Sequence, residues 1–210
     1  MGGRVSFVEG SEASLIQLAR ARPWRVEQVF HLQMPVHLAV TDDDEGELLV
    51  AVSLGDRGSL DRLAGRLGAR TREGDGSSRA ATQVREYLDG ARREFDLRAL
   101  VIGTEFERRA WAALVAIPFG ETRSYAEQAR MLGAPGAARG VGRANGRNQL
   151  PIVVPCHRVI GSDGSLTGFS AGLPRKRWLL AHEGVRLPAE AGPSLVAPNQ
   201  LGLFGLADHG

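Results

Sequence analysis

Cysteine is almost missing from this chain. Cys156 has no second thiol with which to form an internal disulfide or a multi-thiolate zinc site, which suits a reducing, cytoplasmic compartment. Long apolar runs are also missing. "LLVAVSL" (48–54) and "PIVVPC" (151–156) fall far short of the roughly 20 residues a bilayer requires, and nothing resembles a signal peptide, so no membrane partner is expected. Lysine occurs once, as Lys176; the other 25 of the 26 basic residues are Arg.

What remains is sufficient for a folded core. Hydrophobic residues make up 43% of 210 positions, enough for one large domain or two small ones. The net charge of +2 is unevenly spread. Residues 104–187 carry 12 Lys+Arg against 6 Asp+Glu, a local balance of +6 that leaves −4 for the rest. A basic unit joined to a mildly acidic one points to a polyanionic partner, although a solvated Arg-rich surface gives the same totals.

The first hundred residues read as a small α/β unit without evident chemistry, and roughly the first 30 carry no clear signal. Val36, Leu38 and Val40 alternate in "VHLAV", and the acidic turn "TDDDEGE" leads to "LLVAVSL", a β-hairpin pattern. Leu60, Leu63 and Leu67 share one helical face. "REGDGSS" (72–78) reads as a loop. The next helix turns Val84, Tyr87 and Leu88 inward and breaks at Gly90.

The second part is more clearly punctuated. Thr104 with Glu107, and Ser124 with Glu127, are capping boxes that open helices. Phe106, Ala110 and Leu114 repeat along the first, which stops at Pro118 and Gly120; the second ends at Gly133. Pro135 suits the first turn of a third helix, "GAARGVGRANG", and "PIVVP" reads as a strand. Pro174 opens a last helix that Gly184 closes.

Helix, tight turn, helix over 124–146 has the proportions of a helix-turn-helix. Its second helix contains Gly136, Gly140, Gly142 and Gly146, each costing about 0.8–1 kcal/mol relative to Ala. Such a helix makes sense where something approaches its backbone closely. With Arg139, Arg143 and Arg147 as its long side chains, that something fits a minor groove and its phosphates; tight packing on a neighbouring helix is the alternative. Cys156 follows a proline and precedes His157 and Arg158. A thiolate is a nucleophile, and nearby positive charge lowers its pKa. Adjacent residues of extended chain face opposite ways, so a water bridge between Cys156 and His157 is expected rather than direct contact.

"PCHRV" (155–159), "IPFGETRSYAEQA" (117–129), "AARGVGRANGRNQLPIVVPCHRVIG" (137–161) and "KRWLLAHEG" (176–184) strongly resemble the O6-alkylguanine-DNA alkyltransferases. The resemblance runs from about 103 to 184, with a looser echo back to about 85. It implies an α/β protein: a small N-terminal α/β domain (ribonuclease-H-like sheet plus helices, 1–100), a mainly helical C-terminal domain with a helix-turn-helix (101–187), and a flexible tail (188–210). It implies a self-inactivating methyltransferase that flips an O6-alkylated guanine out of duplex DNA and takes the alkyl group onto Cys156. His157 would act as base through water, oriented by Glu183; Asn148 would brace the active-site turn. Tyr125 would donate toward guanine N3, and Lys176 matches a family lysine near the reacting centre.

The resemblance also implies that the carbonyls of Cys156 and Val159 read the exocyclic amine, that the Ser170 amide meets O6, and that Phe169, where many relatives have Tyr, walls the pocket. Arg139 would fill the gap left by the flipped base. Ala138, Gly142, Arg143 and Arg147 would complete the DNA face, and Arg158 would buttress the substrate site between the domains. No cofactor or metal is expected, and a monomer is. "QLGLF", with Gln200, Leu201, Leu203 and Phe204, is similar to the peptide by which bacterial repair proteins dock on the sliding clamp; a tail packing onto its own domain explains it equally well. A non-catalytic lesion-binding protein is the rival reading, disfavoured because relatives of that kind lack the cysteine. A helix-turn-helix regulator leaves Asn148, Glu183 and Tyr125 unexplained.

Overall fold

The computed structural model describes residues 4–31 and 34–187. The chain builds one sheet from its first hundred residues: β1 (Ser6–Phe7), β2 (Trp24–Val29), β3 (Val36–Asp43), β4 (Gly46–Leu54), β5 (Thr71–Glu73) and β6 (Arg98–Ala99), in the order β1-β6-β4-β3-β2-β5. β3 and β4 form the expected antiparallel hairpin; β6 joins β4 in parallel. β2, in the stretch that reads as uninformative, pairs with β3 over five residues.

Both faces of the sheet are covered, so its strands are apolar on both sides. Val36, Leu38, Val40, Leu49, Val52 and Leu54 face one core, while Ala39, Leu48, Val50 and Ala51 face the other. A register shift between Ala39 and Val40 puts the neighbouring residues Val50 and Ala51 in the same core, the expected consequence of a bulge. Helices α1 (Glu12–Ala21) and α2 (Gly58–Leu67) contribute Leu15 and Leu60, Leu63 and Leu67 to the second core. α3 (Arg79–Leu88) contributes Val84, Tyr87 and Leu88 to the first, as its pattern predicts, and the chain turns at Gly90.

The remaining helices are α4 (Glu105–Val115), α5 (Tyr125–Met131), α6 (Ala138–Gly146) and α7 (Leu173–His182). Both capping boxes form: Thr104 and Glu107 cap α4, and Ser124 and Glu127 cap α5. α6 starts later than the sequence suggests. Pro135 lies in the turn before it, and Ala137 is its N-cap. The first core does not respect a boundary near residue 100: Trp111, Leu114, Ile152, Val154, Trp178 and Leu179 pack in it with the strands and α3. Trp111 is fully buried and its indole donates to the Ala144 carbonyl at 2.9 Å. Truncating such a side chain costs about 3–5 kcal/mol. No helix among the described residues is long and apolar enough to cross a membrane.

"PIVVP" is not a strand. Residues 150–154 form a turn in which Ile152 has φ 76°, the one non-glycine residue with positive φ among those described. A β-branched residue there is strained. Cys156–Arg158 follows as one 3-10 turn, leading into β8 (Val159–Ile160), which pairs in parallel with β7 (Arg123–Ser124).

Candidate active site

The strained turn is held by Asn148. Its Nδ2 donates to the Val154 carbonyl at 2.7 Å and to the Cys156 sulfur at 3.2 Å, while its Oδ1 accepts from the Leu150 amide at 2.9 Å. Cys156 is 6% exposed, and burial raises its thiol above the ordinary value, only partly offset by the Asn148 hydrogen bond and the charge of Lys176. The expectation of a thiolate favoured by neighbouring cations is thus corrected. At rest the group is a thiol, because desolvation of the anion outweighs the cations nearby, and reaction needs a base.

His157 is fully buried. Its Nε2 lies 2.9 Å from Oε1 of Glu183, and its Nδ1 is buried with no protein hydrogen-bond partner among the described residues. Residues 156–158 are helical rather than extended, yet neither ring nitrogen of His157 hydrogen-bonds to Cys156. Burial lowers the imidazole's pKa, and the hydrogen bond and charge of Glu183 only partly restore it. A carboxylate only accepts, so Nε2 carries the proton and the Nδ1 lone pair is the basic position.

Burial alone would push the Glu183 carboxyl up, but hydrogen bonds and charge from His157 and Arg158 hold it far below the usual carboxylate range. Arg158 donates to both its oxygens at 2.9 Å and to the Ile117 carbonyl at 2.6 Å. Because Arg stays charged, Arg158 rather than His157 is the counter-ion of Glu183. The Gly120 amide adds a fourth donor at 3.2 Å. Gly120 has φ 79°, and a Cβ there would come within 3.0 Å of the Glu183 carbonyl oxygen, so only glycine lets the turn approach. Arg158 therefore lies buried behind the His–Glu pair, with its hydrogen-bond partners within residues 117–183. Tyr87 reaches the pair from the first part of the chain, donating from α3 to Oε1 of Glu183 at 2.7 Å.

Lys176 is fully buried and its Nζ donates to the carbonyls of Val159 (2.6 Å) and Thr167 (2.7 Å). Burial pulls its pKa down to about 8. One acceptor position of Val159 is thus already in use. Tyr125 donates to the Thr167 carbonyl at 3.1 Å, Phe169 packs partly buried against the core, and Ser170 is exposed. All of these lie around the 156–172 segment. A separate groove, of about 830 Å³ between α2, β4 and residues 146–151, passes Asn148 and Ser170 but not the sulfur.

On α6, a Cβ at Gly140 would meet Phe106 at 3.3 Å, so Gly140 packs closely; one at Gly142 would make only ordinary contact with Tyr125 at 3.7 Å, and Gly146 faces open space. Arg139 and Arg143 are exposed; Arg147 is exposed but pairs with Glu107 at 2.7 Å. Ala138 is the first residue of α6. Reciprocal amide bonds between Gln128 and Asn145 fix α6 on α5. Among these, sequence reading missed Tyr87 as a partner of Glu183, the Gly120 amide and the Gln128–Asn145 pair. A tyrosine on a buried helix face demands an acceptor, but sequence alone does not say which.

The sequence pattern described as "6-O-methylguanine DNA methyltransferase, DNA binding domain" matches residues 105–185. The methylated-DNA–protein-cysteine methyltransferase of Mycobacterium tuberculosis is 54% identical over 113 residues, covering 54% of this chain and 68% of that protein. The chain belongs to the methylated-DNA–protein-cysteine methyltransferase family. The crystal structure of Mycobacterium tuberculosis O6-methylguanine methyltransferase superposes on this methyltransferase with a TM-score of 0.64 at 40% identity, covering 80% of this chain and 96% of that one. A structure of the Mycobacterium tuberculosis protein in complex with DNA gives 0.64 at 41% identity, covering 79% and 96%. The methyltransferase thus carries out direct-reversal DNA repair, with a protein cysteine as acceptor of the alkyl group. Gln200, Leu201, Leu203 and Phe204 lie outside the described residues.

Proposed function

We propose that Cys156 accepts the alkyl group from O6 of a guanine flipped out of duplex DNA, once per molecule. The reading is carried by one observation: the chain's sole thiol shares a buried turn with a neutral imidazole whose basic Nδ1 has no protein partner among the described residues, backed by an ionised Glu183. Nδ1 takes the thiol proton through a water. The thiolate attacks the alkyl carbon; the S–C bond forms as the C–O6 bond breaks, and the bonding pair stays on O6. Tyr125 releases the Thr167 carbonyl and supplies a proton at guanine N3, leaving a neutral base. The product thioether has no leaving group that water can displace, so no turnover follows.

Residues 101–187 carry the chemistry, and residues before 101 support them. α5 and α6 act as the helix-turn-helix. Ala138 and Gly142 let the minor groove come near, Arg139 occupies the gap left by the base, and Arg143 and Arg147 meet phosphates. The second acceptor position of Val159 and the carbonyl of Cys156 take the exocyclic amine, the Ser170 amide meets O6, and Phe169 walls the pocket. The protein works as a cytoplasmic monomer, and the "QLGLF" tail offers a docking peptide for a sliding clamp. Incubation with a duplex containing O6-methylguanine, followed by peptide mass spectrometry, should show one stoichiometric methyl on the Cys156 peptide and none with Cys156→Ala. Lesion binding without transfer would establish the lesion-binding alternative instead.

A further inference from the structure

Tyr87 is a buried titratable group at the site to which the alkyl-transfer scheme gives no task. Tyr87 lies on α3, outside the matched residues 105–185, and is fully buried. Its hydroxyl reaches the same oxygen, Oε1 of Glu183, that faces His157 Nε2, at 2.7 Å against 2.9 Å. The ring cannot swing away. Phe95, Phe119 and His182 pack around it with centroids 5.1–6.2 Å distant, and the Tyr87 carbonyl meets His182 Nε2 at 2.7 Å.

The groups facing the His157–Glu183 pair can be named by element. Tyr87 comes from α3, Arg158 from the 3-10 turn, the Gly120 amide from the turn after α4, and Lys176 adds its charge from α7. Arg158 spans both carboxylate oxygens and the amide meets Oε2; Tyr87 supplies a neutral donor aimed at the oxygen that holds the imidazole proton. A donor on Oε1 stabilises the negative charge there and weakens the pull on that proton, which disfavours the imidazolium form.

The geometry points to Tyr87 as a positioning residue of alkyl transfer: it tempers Glu183 so that His157 stays a neutral base, and through it the first hundred residues act on the chemistry. This rests on the reading of His157 as the base. Burial, with the charge of Glu183 adding to it, raises the phenol well above its ordinary value, so the hydroxyl keeps its proton throughout the working range.

The test is the pH profile of single-turnover transfer by the full chain from an O6-methylguanine duplex, followed from about pH 5 to about pH 9. Tyr87→Phe keeps the ring and removes the donor. Its acid limb should move to higher pH by about half a unit, with full methyl stoichiometry still reached on the alkaline side. A residue that merely filled space would change stability or the active fraction at every pH and leave the midpoint alone, and an unmoved midpoint overturns the inference. Should Tyr87→Phe fail to fold, 3-fluorotyrosine placed at position 87 is a stronger donor of nearly the same shape. It should move the limb to lower pH, and no movement is again fatal. A wild-type protein that methylates Cys156 at no pH sinks the site reading and this inference together. Normal wild-type transfer with unmoved variant profiles sinks the inference alone.

Discussion

The side-chain amide of Asn148 lies 3.2 Å from the sulfur of Cys156 and 2.7 Å from the Val154 carbonyl, so one group holds both the nucleophile and the strained turn below it. Cys156 is 6% exposed and lies in the core shared with Val154 and Trp178. Alkylation adds carbon where there is little room and weakens the sulfur as an acceptor. Overpacking of this kind costs about 1–3 kcal/mol, and a chain of this length loses about 2–4 °C of melting temperature per kcal/mol. The reacted protein, freed of DNA, should therefore melt several degrees below the unreacted one by calorimetry. An equal or higher melting temperature would contradict the packing described.

Glu183 should matter to stability as much as to chemistry. Glu183→Gln leaves the buried Arg158 guanidinium without its counter-ion, a loss of about 3–5 kcal/mol for a broken buried pair. The pH dependence follows from the same contacts. Because the folded carboxyl is held far below its ordinary value of 4.5, its stabilisation is fully present above about pH 4.5 and is lost as the pH falls toward the folded value. Denaturant titrations should show wild-type stability dropping below about pH 4.5, with a shallower drop in Glu183→Gln. Parallel curves would mean that Glu183 is not the ionised centre of this cluster.

The sequence carried the elements whose signals are local. Capping at Thr104 and Ser124 marked α4 and α5, and the alternation of Val36, Leu38 and Val40 marked the hairpin, because each signal is satisfied by neighbours in the chain. It failed at 151–155. "PIVVP" is apolar because it is buried, and burial favours a strand and a buried turn alike; only the grip of Asn148 on Val154 and Leu150 decides. The pKa of Cys156 was misjudged for a related reason. Neighbouring cations are visible in the sequence, whereas the depth of burial that overrides them is a property of the whole fold. The part Tyr87 plays at Glu183 is not legible for the same reason, since that contact spans 96 residues.

The arginines of α6 should differ in their response to salt. Arg143 is exposed with no ion pair among the described residues, whereas Arg147 is held by Glu107 at 2.7 Å. A phosphate contact contributes about 0.9 to the slope of log affinity against log salt. Anisotropy titrations with an undamaged duplex should show Arg143→Ala lowering that slope by nearly this amount and weakening binding across sequences. Arg147→Ala should lower it by less, since Arg147 must first give up a carboxylate. Glu107→Gln, which keeps an oxygen for the Thr104 cap, should free Arg147 and steepen the slope above wild type. Identical losses for Arg143→Ala and Arg147→Ala, with no gain in Glu107→Gln, would show that the ion pair does not compete with DNA.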